Sequence, residues 1–229
     1  MSCFVGPNVS EDGLVLSLDA ANPRSYSGSG NTWNDLSGNG YHLTIYGGPT
    51  FNTAGYFTFS NNQTTQYAMR YPFETPTTNI TYSCWFRSNF VNPSQTPFTY
   101  SVNGNNEMLL FTGGSTQIQP WALGVAIGVD TAPMANLWVN IAWTRSAVTG
   151  VNIFYRDGLQ IGTLTSSTGT AIGAGGYLII GQESDAPGGG FDAGQNLDGD
   201  FARLDVYNRV LSAVEIRQGF LALRSRYGL

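Results

Sequence analysis

The chain has 229 residues, of which 41% are apolar and 11% charged, with a net charge of −5 and no Lys, all ten basic residues being Arg. A basic nucleic-acid-tracking surface is excluded by that balance, and Schiff-base and Walker-type phosphate chemistry by the missing Lys. The length suits one large all-β domain, since sandwiches reach roughly 200 to 250 residues as a unit, and Gly, Ser, Thr and Asn supply the polarity that charge does not.

At the start, Met1 to Asn8 has no basic region followed by an apolar run, so no signal peptide is expected. No stretch reaches the roughly 18 apolar residues that would span a bilayer. Residues 1–12 read as an arm, and 13–229 as a single domain.

Period-2 alternation then dominates, the signature of strands with one buried face. It runs through Leu14 to Leu18, Tyr56 to Phe59 and Thr81 to Arg87, and continues through Met108 to Phe111, Leu123 to Val129, Leu137 to Arg145, Val151 to Arg156, Leu159 to Leu164, Tyr177 to Gly181 and Phe201 to Asn208. Residues 22–41 read as a long loop carrying Trp33 as a plug. His42, the one histidine, falls in a short strand, Tyr41 to Ile45, with no Ser or Cys motif beside it. Cys3 and Cys84 are far apart and read as unpaired thiols, because two cysteines in a chain this long do not make a disulfide scaffold. Trp85 and Trp143, in alternating strands, read as core. Asp157-Gly158 between two strands predicts a tight hairpin, since Gly tolerates the positive φ that such a turn needs.

One helix is expected. Ser212-Ala213-Val214-Glu215 is a capping box, and Ile216, Phe220 and Leu223 follow at helical spacing. Arg217, Arg224 and Arg226 are expected to favour the negative C-terminal end.

The most informative stretch is residues 181–195, GQESDAPGGGFDAGQ. Glu183, Asp185, Asp192 and Gln195 set three carboxylates and an amide on a glycine-rich loop, oxygen ligands of the kind that a hard cation such as calcium takes six to eight at a time. This run resembles the calcium loop of pentraxins, members of the laminin-G-like, concanavalin A-like group of β-sandwich lectins. Three further stretches are similar to that family in order and spacing: Asn105 to Phe111, Trp138 to Trp143 with Phe154 to Gly158, and Gly199 to Ile216. The resemblance covers about residues 79–218. It implies an all-β, antiparallel two-sheet jelly-roll sandwich with a short C-terminal helix.

Carried onto this chain, the resemblance implies a calcium site made of Glu183 and Asp185 as bridging carboxylates, the Ser184 carbonyl, Asn105, Asn106, Asp192 and Gln195. Asn105 stands where the family has Asp, and the shorter Asp192 where it usually has Glu. One negative charge is lost, so weakened affinity and one calcium rather than two are expected. The family disulfide is missing, with Cys84 at one half-cystine position and Ala142 at the other. An aromatic platform for sugar would come from Trp121, after Pro120, or from Tyr100, near Asn103 to Asn106.

The opening Gly13 to Pro23, with Trp33 to Gly40, is not pentraxin-like; it is similar to laminin-G-like domains of phage and large-virus structural proteins. Together these readings imply a non-enzymatic virion surface protein, a capsid decoration or a tail or fibre component made in the host cytoplasm. Its expected partners are virion proteins and surface glycans, in a homo-oligomer without nucleic acid or membrane insertion. The alternative is a secreted or cell-surface lectin. Retaining glycoside hydrolysis needs two carboxyl groups about 5 to 5.5 Å apart. Glu183-Ser184-Asp185 supplies half of the glucanase strand motif, but Pro187 and Gly188 stand where the second acid belongs.

Overall fold

In the computed structural model, residues 7–60, 64–90, 94–104 and 107–229 are described. Among them eighteen strands run in chain order: β1 Leu14–Asp19, β2 Thr32–Trp33, β3 Leu43–Tyr46, β4 Thr50–Asn52, β5 Tyr56–Phe59, β6 Tyr67–Phe73, β7 Asn79–Ser88, β8 Phe98–Ser101, β9 Met108–Leu110, β10 Gln117–Ile118, β11 Trp121–Ala122, β12 Val125–Ala126, β13 Val129–Asp130, β14 Val139–Ser146, β15 Val151–Arg156, β16 Leu159–Thr165, β17 Gly176–Ile180 and β18 Gly199–Tyr207. Helix α1, Ala213–Leu223, and a 3₁₀ turn, Arg224–Tyr227, close the chain.

Sixteen of the strands make two eight-stranded antiparallel sheets, the jelly-roll sandwich expected, and β10 and β13 pair separately as a two-stranded ribbon. The first runs β16-β15-β14-β7-β18-β5-β4, and the second β12-β11-β9-β8-β17-β6-β3-β2. Strand β18 is the hinge of the first sheet. It pairs with β7 along its length, and its other edge is shared by β5, against Gly199 to Phe201, and β1, against Arg203 to Tyr207.

Alternation turns Leu16, Leu18, Phe57, Phe86, Trp143, Phe154, Leu178, Ile180, Phe201 and Leu204 into one buried core between the sheets. Trp33 belongs to it, fully enclosed and 4.8 Å from the Phe57 ring. The outer face of the first sheet carries the helix. There Trp85 stacks on Tyr227 at 4.0 Å and on Phe220 at 5.7 Å. Trp85 is core, as read, but in a second cluster with Ala202 and Phe220 under the helix, because alternation assigns residues to faces without saying what covers each face.

Ser212 and Glu215 make both bonds of the capping box. Of the three arginines expected at the helix terminus, Arg224 is the C-cap residue of α1, and the other two bond elsewhere. Arg226 pairs with Asp19 at 2.7 Å and Arg217 donates to the Asp157 carbonyl at 3.0 Å. Asp19 and Asp205 flank the buried Arg203, each at 2.7 Å.

Other expectations shift. The loop of residues 22–41 contains β2. The run Leu123 to Val129 is not one strand: Leu123 and Gly124 take positive φ of 52° and 73° and turn β11 back as β12. His42 accepts a hydrogen bond from the Asp35 N–H at 3.1 Å. Cys84 is buried and free, as read, while Cys3 lies outside the described residues. Its assignment to a family half-cystine position is corrected by register. Cys84 faces the core opposite Ile141, and the residue opposite Ala142 is Ser83.

Candidate functional site at the rim of the second sheet

Strand β17 ends at Ile180, and the φ of 90° at Gly181 turns the chain out of the sheet. A Cβ there would lie 2.7 Å from the Phe59 ring, so the turn needs both the conformation and the missing side chain. The Gly181 N–H donates to the Pro97 carbonyl at 3.0 Å, and its carbonyl accepts from the Leu197 N–H at 3.1 Å. Residues 182–196 thus form a loop closed at its neck.

Three features shape it. The fully buried Gln182 donates to the Gln66 carbonyl at 3.0 Å. Ala186 and Gly189 exchange backbone hydrogen bonds of 3.2 and 3.0 Å around Pro187 and Gly188, and the Ser184 hydroxyl donates to the Gly189 carbonyl at 3.0 Å. Asp192 caps the second turn, accepting from the Gly194 N–H at 2.8 Å and from Gln195 Nε2 at 3.2 Å.

Within this frame Glu183 is 3% exposed, and its Oε2 has no hydrogen-bond partner among the described residues. Burial pushes its carboxyl up to about 7, the neighbouring charge of Asp185 adds to that, the Ser184 N–H opposes it, and Asp192 raises it further. An orphaned, buried carboxylate oxygen among like charges is what a bound cation would relieve. Asp185 and Asp192 are thus both near enough for their charge to act on Glu183. Among the described residues, however, no three acidic, histidine or cysteine side chains are gathered to hold a metal ion, and Asp192 is engaged by Gln195. The donor chemistry fits calcium, with Glu183 and Asp185 as charged ligands and Ser184 beside them. Asn105 and Asn106 lie outside the described residues.

The aromatic expectations divide. Tyr100 is corrected: it is fully enclosed, donating to the Gly173 carbonyl at 2.8 Å and accepting from the Gly176 N–H at 3.0 Å, and it offers no face to a ligand. Trp121 is half-buried on β11, opposite Leu109 and Ala126. Sequence reading missed the rings beside the loop. Phe191 of the loop meets Tyr67 edge-on at 4.9 Å, Tyr67 stacks on Tyr46 at 4.7 Å, and Tyr71 stacks on Tyr177 at 4.0 Å. Gly188 lies against Tyr177, where a Cβ would come within 2.6 Å of the ring. The alternation of Tyr67, Met69 and Tyr71 in β6 was the available signal.

An antiparallel sandwich with an oxygen-rich loop at its rim defines a lectin-like binding module. The Pentaxin family model matches residues 55–223, and the chain belongs to that family. It is 33% identical over 139 residues to neuronal pentraxin-2 of Mus musculus, a match covering 60% of this chain and 32% of that protein. It is also 28% identical over 153 residues to C-reactive protein 1.4 of Limulus polyphemus, covering 60% of each. The chain thus spans about a third of the neuronal relatives it matches. Among solved structures, the native heptameric SAP-like pentraxin of Limulus polyphemus superposes with a TM-score of 0.61 at 21% identity, over 70% of this chain and 78% of that one. The receptor-binding domain of a botulinum neurotoxin C/D mosaic serotype gives 0.65 at 15%, over 91% and 51%. At these identities the structures bear on fold alone.

Proposed function

We propose that this chain is a non-catalytic carbohydrate-binding module whose ligand site is formed by calcium on the 182–196 loop. The observation that carries this reading is the buried Glu183 carboxylate with an unpartnered oxygen beside Asp185. Glu183, Asp185, the Ser184 carbonyl, Asn106, Asp192 and Gln195 would hold one ion, with Asn105 contributing no charge. A loop-held calcium supplies open coordination positions that vicinal sugar hydroxyls fill. The protein's own part is to keep the carboxylates together at the rim and to flank them with Phe191, Tyr67 and Tyr177. Trp121 remains a candidate ring at the sheet edge.

Hydrolysis is disfavoured because Ala186 to Gly189 form a turn, which leaves Asp185 without a second acid in strand register. Residues 13–229 act as one domain, to which the arm is fastened by Arg209, bonded to Ser10 at 2.9 Å and to the Asp12 carbonyl at 2.9 Å. The heptameric relative supports a homo-oligomer. The opening phrase Gly13 to Pro23 supports a place on a virion surface, with capsid or tail proteins and surface glycans as partners; family membership favours an extracellular lectin as the second reading.

The test is a printed glycan array probed with the full chain in calcium and in EDTA. A component of binding that appears only with calcium, and that falls at least tenfold in Asp185→Ala, is expected. A calcium-dependent signal that Asp185→Ala leaves intact contradicts the site.

A further inference from the structure

On the first sheet, just past the neck of the loop, strands β5, β7 and β18 run out together, Gly199 lying opposite both Phe59 and Ser88. A cleft of ≈ 240 Å³ opens there, lined by Thr58, Arg87, Asn89, Asn136, Asp198 and Asp200. Strand β18 approaches closely because Gly199 lacks a Cβ, which would lie 2.1 Å from the Arg87 carbonyl.

The polar groups of the cleft are fixed in place. Asp200 accepts from Arg87 Nε at 2.8 Å and Nη2 at 2.6 Å, and from the Thr58 hydroxyl at 2.6 Å. Asp198 accepts from Asn89 Nδ2 at 2.8 Å, and its backbone N–H donates to Gln95 Oε1 at 3.1 Å. Asn136, at φ 58°, is held by its N–H to the Ser88 carbonyl at 2.7 Å, with its side chain exposed. Behind Arg87, two rings of the cluster under the helix hold its guanidinium from the other side. Trp138 and Tyr56 pack at 5.4 Å, and the Arg87 guanidinium lies 5.2 Å from the Trp138 centroid and 5.7 Å from that of Tyr56.

The chemistry of the lining selects a ligand class. Asp200 neutralises Arg87, so Asp198 leaves the cleft negative, and phosphate, sulfate or a carboxylated sugar would meet repulsion. A carboxylate, an amide and a guanidinium offer acceptors and donors side by side, the complement of neighbouring hydroxyls that both donate and accept. The volume is below the roughly 300 to 1,000 Å³ of pockets for drug-sized ligands, which limits the occupant to about one ring.

We propose that this cleft binds a single uncharged pyranose residue through its vicinal hydroxyls, without any metal ion. It is a second site, separate from the acidic loop. Its test is the full chain on an array of neutral and acidic glycans in excess EDTA. Neutral glycans are expected to retain binding and sulfated or sialylated ones to give less. Asn136→Gly, which keeps the left-handed backbone and deletes the amide, should lower the signal at least tenfold without changing the melting temperature. The isosteric Asp198→Asn should lower it by a similar factor, while Asp185→Ala leaves it intact. Silence in EDTA, a preference for acidic glycans, or a signal indifferent to both cleft variants overturns the proposal. None of those outcomes touches the calcium-dependent arm, so the two sites fail separately.

Discussion

Glu183 shows how a single residue can be read correctly for type and incompletely for environment. Its presence on a glycine-rich loop was plain in the sequence, but its burial was not, because that depends on the loop folding back between Gly181 and Leu197. Burial gives it a testable titration. The folded carboxyl is held up to about 7, against an ordinary value of 4.5. Between those values the folded state binds the extra proton, so stability is greatest below about 4.5 and falls as pH rises through about 7. In EDTA the melting temperature should decline over that window, and Glu183→Gln should lose this part of the slope; an identical slope in the variant contradicts the assignment. Tyr100 is the opposite case. Its place near the Asn103 to Asn106 turn suggested a platform, yet alternation puts it on the inner face, where it is fully enclosed.

At the scale of elements, local chemistry was the most legible. The Asp157-Gly158 turn forms with φ of 51° and 75°, pairing Arg156 with Leu159. What the sequence did not disclose is that the turn also supports the helix. A Cβ on Gly158 would lie 2.9 Å from Arg217 Cδ and 3.0 Å from Phe220 Cβ. Gly158→Ala therefore suffers twice, through a left-handed backbone that costs roughly 1–2 kcal/mol for an L-residue and through displacement of α1. A lowered urea midpoint of that size or larger is expected, whereas a midpoint within error of the wild type contradicts the packing. The capping box formed as written, but two of the arginines beyond it went to Asp157 and Asp19. Helix-dipole reasoning sees the local field and not a carboxylate contributed from β1.

Across the whole molecule, the two-sheet plan was legible because buried faces demand alternation, and the resemblance over residues 79–218 lies within the family match of 55–223. Less legible were features set by long-range register: the sharing of one β18 edge by β5 and β1, the Ser83–Ala142 pairing, and the cleft where β5, β7 and β18 end together. In each, the partners lie tens of residues apart in the chain, and no local pattern encodes their alignment. The sandwich thereby sets the acidic loop at the rim of the second sheet and the helix on the outer face of the first.

The central claim is that the 182–196 loop holds calcium, and thermal unfolding against calcium concentration tests it most directly. A bound ion stabilises the native state by mass action. With one site of about 10⁻⁴ to 10⁻³ M, typical of extracellular modules, the melting temperature should climb across the millimolar range for the wild type and stay flat for Asp185→Ala. An equal rise in both proteins, or none in either, would contradict the account.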